Sequence, residues 1–120
     1  MIIGIGTDIT HIERIKKLSP EIVARILTKP EEDYCGRFSS PFERVAGRFA
    51  AKEAILKALG TGWSQGIGWQ QIEVLPDSAG VPRVTFYGKA LDKFHSLCAT
   101  HCHLTISHQG DYAVAFAVIE

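Results

Sequence analysis

Residues 40–60 read SPFERVAGRFAAKEAILKALG, the longest run with one consistent period, and the rest of the chain is best understood around it. Ser40 suits an N-cap, Pro41 the first helical position, and Glu43 follows three residues after the cap. Gly60 supplies the stop. The spacing predicts a single helix ending at about Leu59. At about 100° per residue, Phe42, Val45, Ala46, Phe49 and Leu56 share one apolar face. Glu53 falls inside that face, where a carboxylate must stay near water, pair with a cation or be protonated. Two readings are open for it: an i, i+4 pair with Lys57 in the favourable order, or a metal ligand. Arg44, Arg48 and Lys52 lie at i, i+4 spacing on the flank away from Glu53. They form either a solvated face or a phosphate site, because guanidinium and ammonium groups supply the charge and donors that phosphate needs.

Before this helix, residues 2–7 are β-branched with Gly4 and Gly6 interleaved, a strand closely approached by another element. Thr10 and Glu13 have capping-box spacing, and Ile9, Ile12, Ile15 and Leu18 predict a short helix reaching about Leu18. Ser19-Pro20 restarts a helix carrying Ile22, Val23, Ile26 and Leu27. A further turn begins at Pro30 and ends at Gly36. After the long helix, residues 61–68 form a Gly-rich loop holding Trp63. Residues 70–75 and 83–87 read as strands around a turn at 76–80. Residues 89–98 put Ala90, Leu91, Phe94 and Leu97 on one helical face. Residues 103–108 and 112–119 are strands joined by a short hairpin loop. Helices first and hairpins later, with little βαβ alternation, give an α+β fold: a mainly antiparallel sheet packed against one long helix and several short ones. In the last strand Tyr112, Val114, Phe116 and Val118 point one way, and Ala113, Ala115, Ala117 and Ile119 the other. Both faces are apolar and both want cover, from helices of the same chain or from another subunit.

The length of 120 residues suits one domain, residues 1–120, with a single core. Lys+Arg and Asp+Glu both number 13, which argues against a protein that coats nucleic acid through bulk basicity. The longest apolar stretch, residues 112–119, is far short of the roughly 20 residues a membrane helix needs. Three cysteines are too few for a disulfide framework, and with no secretory leader in view a reducing cytoplasm is the expected compartment.

Two more residues invite a chemical reading. Asp8 sits where the first strand gives way to helix; it is a cap or turn residue, or it is the partner of Glu53 in holding a hard cation such as Mg²⁺. His108 ends a strand, as a structural histidine or a phosphate donor at the sheet edge. Other patterns fall away. Gly4-Ile5-Gly6 lacks the third glycine and βαβ context of a dinucleotide site. Gly60-Thr61-Gly62 follows a helix where a phosphate loop would precede one. Cys98, His101, Cys102 and His103 lack a second ligand pair for zinc, and no nucleophile elbow occurs.

Three blocks taken together carry a resemblance: GIGTDITHIER at residues 4–14, RFAAKEAILKALGTG at residues 48–62 and SHQGDYA at residues 107–113. With Gly80-Val81-Pro82 in the hairpin, they resemble the holo-acyl-carrier-protein synthase family of small 4′-phosphopantetheinyl transferases, over the whole chain. Gln71 stands where an acidic residue is frequent in that family, and the Cys/His-rich stretch at 98–103 is not a family trait.

The resemblance implies transfer of the 4′-phosphopantetheine arm of coenzyme A to a serine of apo-acyl carrier protein, releasing adenosine 3′,5′-bisphosphate, for fatty acid biosynthesis. By carry-over Asp8 and Glu53 hold Mg²⁺ at the pyrophosphate, Lys57 contacts the pyrophosphate, and Arg44 and His108 are candidates for the 3′-phosphate. The serine proton goes to Glu53 or to a metal-bound water. The family implies a homotrimer with sites at subunit interfaces, and an acidic carrier protein as partner, with no nucleic acid and no membrane. Arg14 leads the residues expected to meet that partner. Arg25 belongs to the same basic helical segment, in which Arg14, Lys16, Lys17, Arg25 and Lys29 outnumber Glu13 and Glu21. The competing reading is a binding module that keeps coenzyme A affinity without turnover. It fits less well because Asp8, Glu53, Lys57 and His108 are all present.

Overall fold

The computed structural model describes residues 1–62 and 64–120; Trp63, expected in the Gly-rich loop, lies outside the described residues. The chain order is β1 (Gly4–His11), α1 (Ile12–Lys16), α2 (Pro20–Ile26), α3 (Lys29–Cys35), α4 (Phe42–Leu59), β2 (Ile72–Pro76), β3 (Pro82–Phe86), α5 (Gly88–Ser96), β4 (Cys102–Gln109) and β5 (Tyr112–Ile119). A three-stranded antiparallel sheet has the order β1-β5-β4, and β2 and β3 pair as a separate hairpin. The fold is α+β, with both antiparallel sheets gathered about α4.

Helix α4, about 27 Å long at 1.5 Å per residue, is the spine. Its small residues Ala50, Ala51, Ala54 and Ala58 are buried, which lets β1 lie directly on the helix backbone. A Cβ added at Gly6 would stand 1.9 Å from the Ala54 carbonyl oxygen, and one at Gly4 equally close to that of Ala58. The alternating glycines of β1 exist for this approach. One core cluster joins α4 to β5, the hairpin and α5 through Ile55, Leu56, Ile72, Phe94 and Ile119. A second joins it to α1, α2 and α3 through Ile12, Ile15, Ile26, Cys35 and Val45. The helix is therefore buried around most of its circumference, well beyond the single apolar face expected from Phe42, Val45, Ala46, Phe49 and Leu56. Phe42, placed on that face, is exposed.

Several boundaries differ from the sequence expectation, each for an identifiable reason. Strand β1 continues to His11, because all eight residues pair in register with β5. Thr10 therefore lies in a strand, and its hydroxyl donates to Asp8 instead of capping a helix. Helix α1 is left with five residues and no side-chain cap. The capping box forms further on, where the Thr28 hydroxyl accepts from the Glu31 amide and the Glu31 carboxylate accepts from the Thr28 amide. Ser19 caps α2 as expected. Ser40 does not cap α4: Pro41 occupies the boundary, and its carbonyl accepts from Val45. Gly60 ends α4 at φ +77°, the left-handed conformation that a C-terminal glycine provides. Residues 69–71 form a 3₁₀ turn, so the hairpin strand begins at Ile72.

The row Arg44, Arg48 and Lys52 is not a solvated face. Lys52 is fully buried, and its ammonium is bound by the Glu31 carboxylate and by the carbonyls of Ile26 (2.6 Å) and Trp69 (3.1 Å). It is consequently unavailable to a phosphate. Arg48 is also buried, with its guanidinium 4.6 Å from the Tyr34 ring centroid.

Candidate active site

Strand β1 carries Asp8 on the face that looks toward α4, and α4 carries Glu53 and Lys57 one turn apart on the side that meets β1 and α1. The Lys57 ammonium donates to the Thr7 carbonyl at 2.8 Å and lies 3.3 Å from the Asp8 carboxylate. The second Asp8 oxygen accepts from the Thr10 hydroxyl at 3.0 Å. The side chains of Asp8 and Lys57 are 19% and 56% exposed, so the group is reachable from water. Sequence spacing offered Glu53 as the partner of Lys57; the ammonium instead reaches across to the strand.

Burial pushes the Glu53 carboxyl above the ordinary carboxylate range, and the negative charge of Asp8 pushes it further. The charge of Lys57, the polar indole N–H of Trp69 and the charge of Arg14 pull it back only in part. The shift is first the cost of burying a carboxylate, to which the charge of a second acid nearby adds. Among the described residues, no cluster of three or more His, Cys, Asp or Glu side chains is placed to hold a metal. Two carboxylates with oxygen donors alone suit a hard cation such as Mg²⁺, which completes its shell with water and phosphate oxygens. Beside them opens a cavity of about 260 Å³, lined by Arg14, Leu18, Ile22, Phe49, Glu53 and Trp69 among others.

Arg44 and His108 meet at a different cleft, also of about 260 Å³, with Tyr34, Arg48, Gly80 and Pro82. A His108 ring nitrogen, Nε2, donates to the Glu43 carbonyl at 2.9 Å, which leaves Nδ1 as an acceptor in the neutral ring and a second donor when protonated. The Arg44 guanidinium stacks 4.2 Å above the Phe38 ring. The buried Arg48 Nε has no hydrogen-bond partner among the described residues, so three basic side chains border one cleft. Arg44 precedes Glu53 by nine residues, which on an α-helix is about 13 Å of rise and half a circumference. Within one chain, the acid pair and the basic cleft therefore occupy opposite sides of α4. Arg14 stands at the mouth of the Glu53 cavity, and Arg25 is exposed in the last turn of α2.

Sequence reasoning passed over two residues that shape this region. Trp69 sits in the 3₁₀ turn and lines the same cavity as Glu53, and Glu31 neutralises Lys52. The Thr28-to-Glu31 capping-box spacing was the available signal for the second; nothing local marks the first.

A fold of this kind, with an acid pair on one flank of its spine and a basic cleft on the other, has close counterparts. The family model of the 4′-phosphopantetheinyl transferase superfamily matches residues 4–117, and the chain belongs to that superfamily. Within it, the chain is 46% identical over 122 residues to the holo-[acyl-carrier-protein] synthase of Protochlamydia amoebophila, covering 98% of each. Among solved structures, the holo-[acyl-carrier-protein] synthase of Neisseria meningitidis matches with a TM-score of 0.89 and 38% identity, covering 100% of this chain and 99% of that one. The corresponding synthase of Bacillus anthracis, solved in complex with CoA (3′,5′-ADP), matches with a TM-score of 0.84 and 38% identity, over 99% and 96% of the two chains.

Proposed function

We propose that this chain, acting as one domain, transfers the 4′-phosphopantetheine group of coenzyme A to a serine of apo-acyl carrier protein, yielding holo-acyl carrier protein and adenosine 3′,5′-bisphosphate for fatty acid biosynthesis. The observation that carries the reading is the pair Asp8 and Glu53, held on β1 and α4 with Lys57 paired to Asp8, in a chain of this family. Asp8 and Glu53 hold Mg²⁺, which when bound neutralises charge on the pyrophosphate. The protein's own groups do the rest. Lys57 offers an ammonium to the pyrophosphate oxygens. The serine oxygen forms a bond to the phosphorus of the pantetheine phosphate as the bond to the adenosine bisphosphate breaks. The serine proton is assigned to the Glu53 carboxylate or to a metal-bound water.

Arg44 and His108 are assigned to the 3′-phosphate. Because they stand across α4 from the acid pair, one coenzyme A molecule is best served by the acids of one subunit and the basic cleft of the next. That arrangement supports a homotrimer with sites at its interfaces. The outer face of the β1-β5-β4 sheet supplies a surface for assembly: Ile5, Ile9, Tyr112, Val114 and Phe116 are exposed there, Ile9 by 64%. Arg14 and Arg25 face the incoming carrier protein, whose acidic surface they would steer. No described helix is long and apolar enough to cross a membrane, and a cytoplasmic site of action is part of the proposal.

The test is intact-mass spectrometry of apo-acyl carrier protein incubated with coenzyme A and this protein. A gain of one phosphopantetheine with Mg²⁺, and none with a chelator, is expected. No gain with several different apo carriers would leave a coenzyme A-binding module instead.

A further inference from the structure

We propose that Gly47 is a positioning residue: its missing side chain seats the His108 imidazole against α4 and leaves Nδ1 as the ring nitrogen available to the 3′-phosphate of coenzyme A. The proposal rests on the assignment of Arg44 and His108 to that phosphate and adds the residue that orients the histidine. Gly47 is buried within α4, more than a turn from either end, where glycine is destabilising relative to alanine. Its neighbours Ala46, Ala50, Ala51 and Ala54 show that the helix otherwise fills such places with alanine. A Cβ added at Gly47 would stand 2.9 Å from His108 Nε2, 3.6 Å from His108 Cε1 and 3.1 Å from Ile106 Cγ2. Ile106 and His108 are two residues apart on β4 and so share a face, and strand and helix meet at this glycine.

The space is used for one hydrogen bond. His108 Nε2 lies 2.9 Å from the Glu43 carbonyl, which the helical ladder already pairs with the Gly47 amide. The imidazole takes the second lone pair of that oxygen. Helical Cα–Cβ bonds tilt toward the N-terminus, so any side chain at residue 47 would lie over the carbonyl of residue 43 and block the approach. Because a carbonyl only accepts, the bond fixes the proton on Nε2. Protonation then makes Nδ1 a second donor, a form that a phosphate favours. At Gly4 and Gly6 the obstacle to a Cβ is helix backbone, whereas at Gly47 it is side chain. His108 is exposed and can swing aside, so Gly47→Ala should displace the imidazole and keep the fold.

Coenzyme A and 3′-dephospho-coenzyme A differ only in the phosphate at issue. Calorimetric binding of each, with Mg²⁺ and no acceptor protein, reads the contact without turnover. In Gly47→Ala, shown to be folded by circular dichroism, the Kd of coenzyme A should rise about tenfold, the loss of one charge-assisted hydrogen bond, and that of the dephospho form should stay within about twofold. His108→Ala should show the same selective loss. The double variant should be within about twofold of His108→Ala, because Gly47 acts through the histidine. Unchanged coenzyme A binding in Gly47→Ala, with selective loss in His108→Ala, overturns the role of Gly47 and leaves the phosphate assignment standing. Equal weakening of both ligands in Gly47→Ala, or a further tenfold loss in the double variant, also overturns that role. Undiminished coenzyme A binding in His108→Ala overturns both. A readout that needs no change at position 47 is the pair of His108 ring nitrogen resonances, assigned against His108→Ala. The neutral ring should be the Nε2–H tautomer, and Nδ1 should shift with coenzyme A and not with the dephospho form. An Nδ1–H tautomer, or an Nδ1 resonance indifferent to coenzyme A, contradicts the proposal.

Discussion

Helix α4 carries two lysine–carboxylate pairs five residues apart, and they have opposite fates. Lys52 and Glu31 are both fully buried and completely partnered: the ammonium has Glu31 and two carbonyls, and the carboxylate also accepts from the amides of Thr28 and Val74. Lys57 and Asp8 lie at the surface, loosely paired at 3.3 Å, with Glu53 as a second acid beside them. The first pair ties together α2, α3, α4 and β2. The second leaves negative charge uncompensated and open to a ligand. The lesson is that ion pairing alone does not mark a site. Burial with every donor and acceptor matched marks structure, and a surplus of one charge within reach of water marks chemistry.

The largest effect should come from breaking the buried pair. Glu31→Gln leaves the Lys52 ammonium without its counter-charge and should destabilise the fold by about 3–5 kcal/mol in urea unfolding. A loss below about 1 kcal/mol would mean that the pair is not what holds these four elements together. The surface pair should behave in the reverse way, affecting turnover without unfolding the chain.

Next in size is a complementation effect. Asp8→Ala, and the double variant Arg44→Ala with His108→Ala, should each be inactive alone. Mixed in equal amounts and allowed to exchange subunits, they should recover about a quarter of full activity, because each shared interface in a ring has that chance of combining one intact half from each. A mixture that stays inactive while light scattering shows exchanged trimers would place both halves of the site in one chain.

The smallest effect is on pH-dependent stability. Glu53 has a folded-state proton affinity above that of the unfolded chain, so its ionisation opposes folding as pH rises through the carboxylate range. Glu53→Gln removes that penalty. In a chelator, the variant should match the unaltered protein in Tm below the ordinary glutamate pKa and exceed it at neutral pH. Equal Tm values across the range would contradict the burial of Glu53 beside the charge of Asp8.

Much of this was readable from the residues. The glycines at positions 4 and 6 announced a close approach, which proved to be backbone on backbone against Ala54 and Ala58. The stop at Gly60, the cap at Ser19 and the two-faced alternation of β5 follow from local chemistry that the fold leaves intact. Thr10 misled because an eight-residue ladder with β5 outweighs a local cap. Lys52 misled because its partner lies 21 residues away, and a sequence displays a basic row in the same way whether it is solvated or buried. The separation of Arg44 from Glu53 was implicit in the helical angle. The clefts they face depend on how β3, β4 and α1 pack, which no local pattern encodes. Trp69 was invisible for the same reason: its 3₁₀ turn is anchored by a lysine from another element.

The central claim is that the half-buried acid pair performs phosphopantetheine transfer while the fully buried ion pair only supports the fold. The most direct measurement is the rate of mass gain by apo-acyl carrier protein with coenzyme A and Mg²⁺, compared between Glu53→Ala and the unaltered protein after circular dichroism has shown both to be folded. A fall of about 10³-fold or more is expected, equivalent to about 4 kcal/mol of transition-state stabilisation. A folded Glu53→Ala protein that modifies the carrier at the unaltered rate would contradict it.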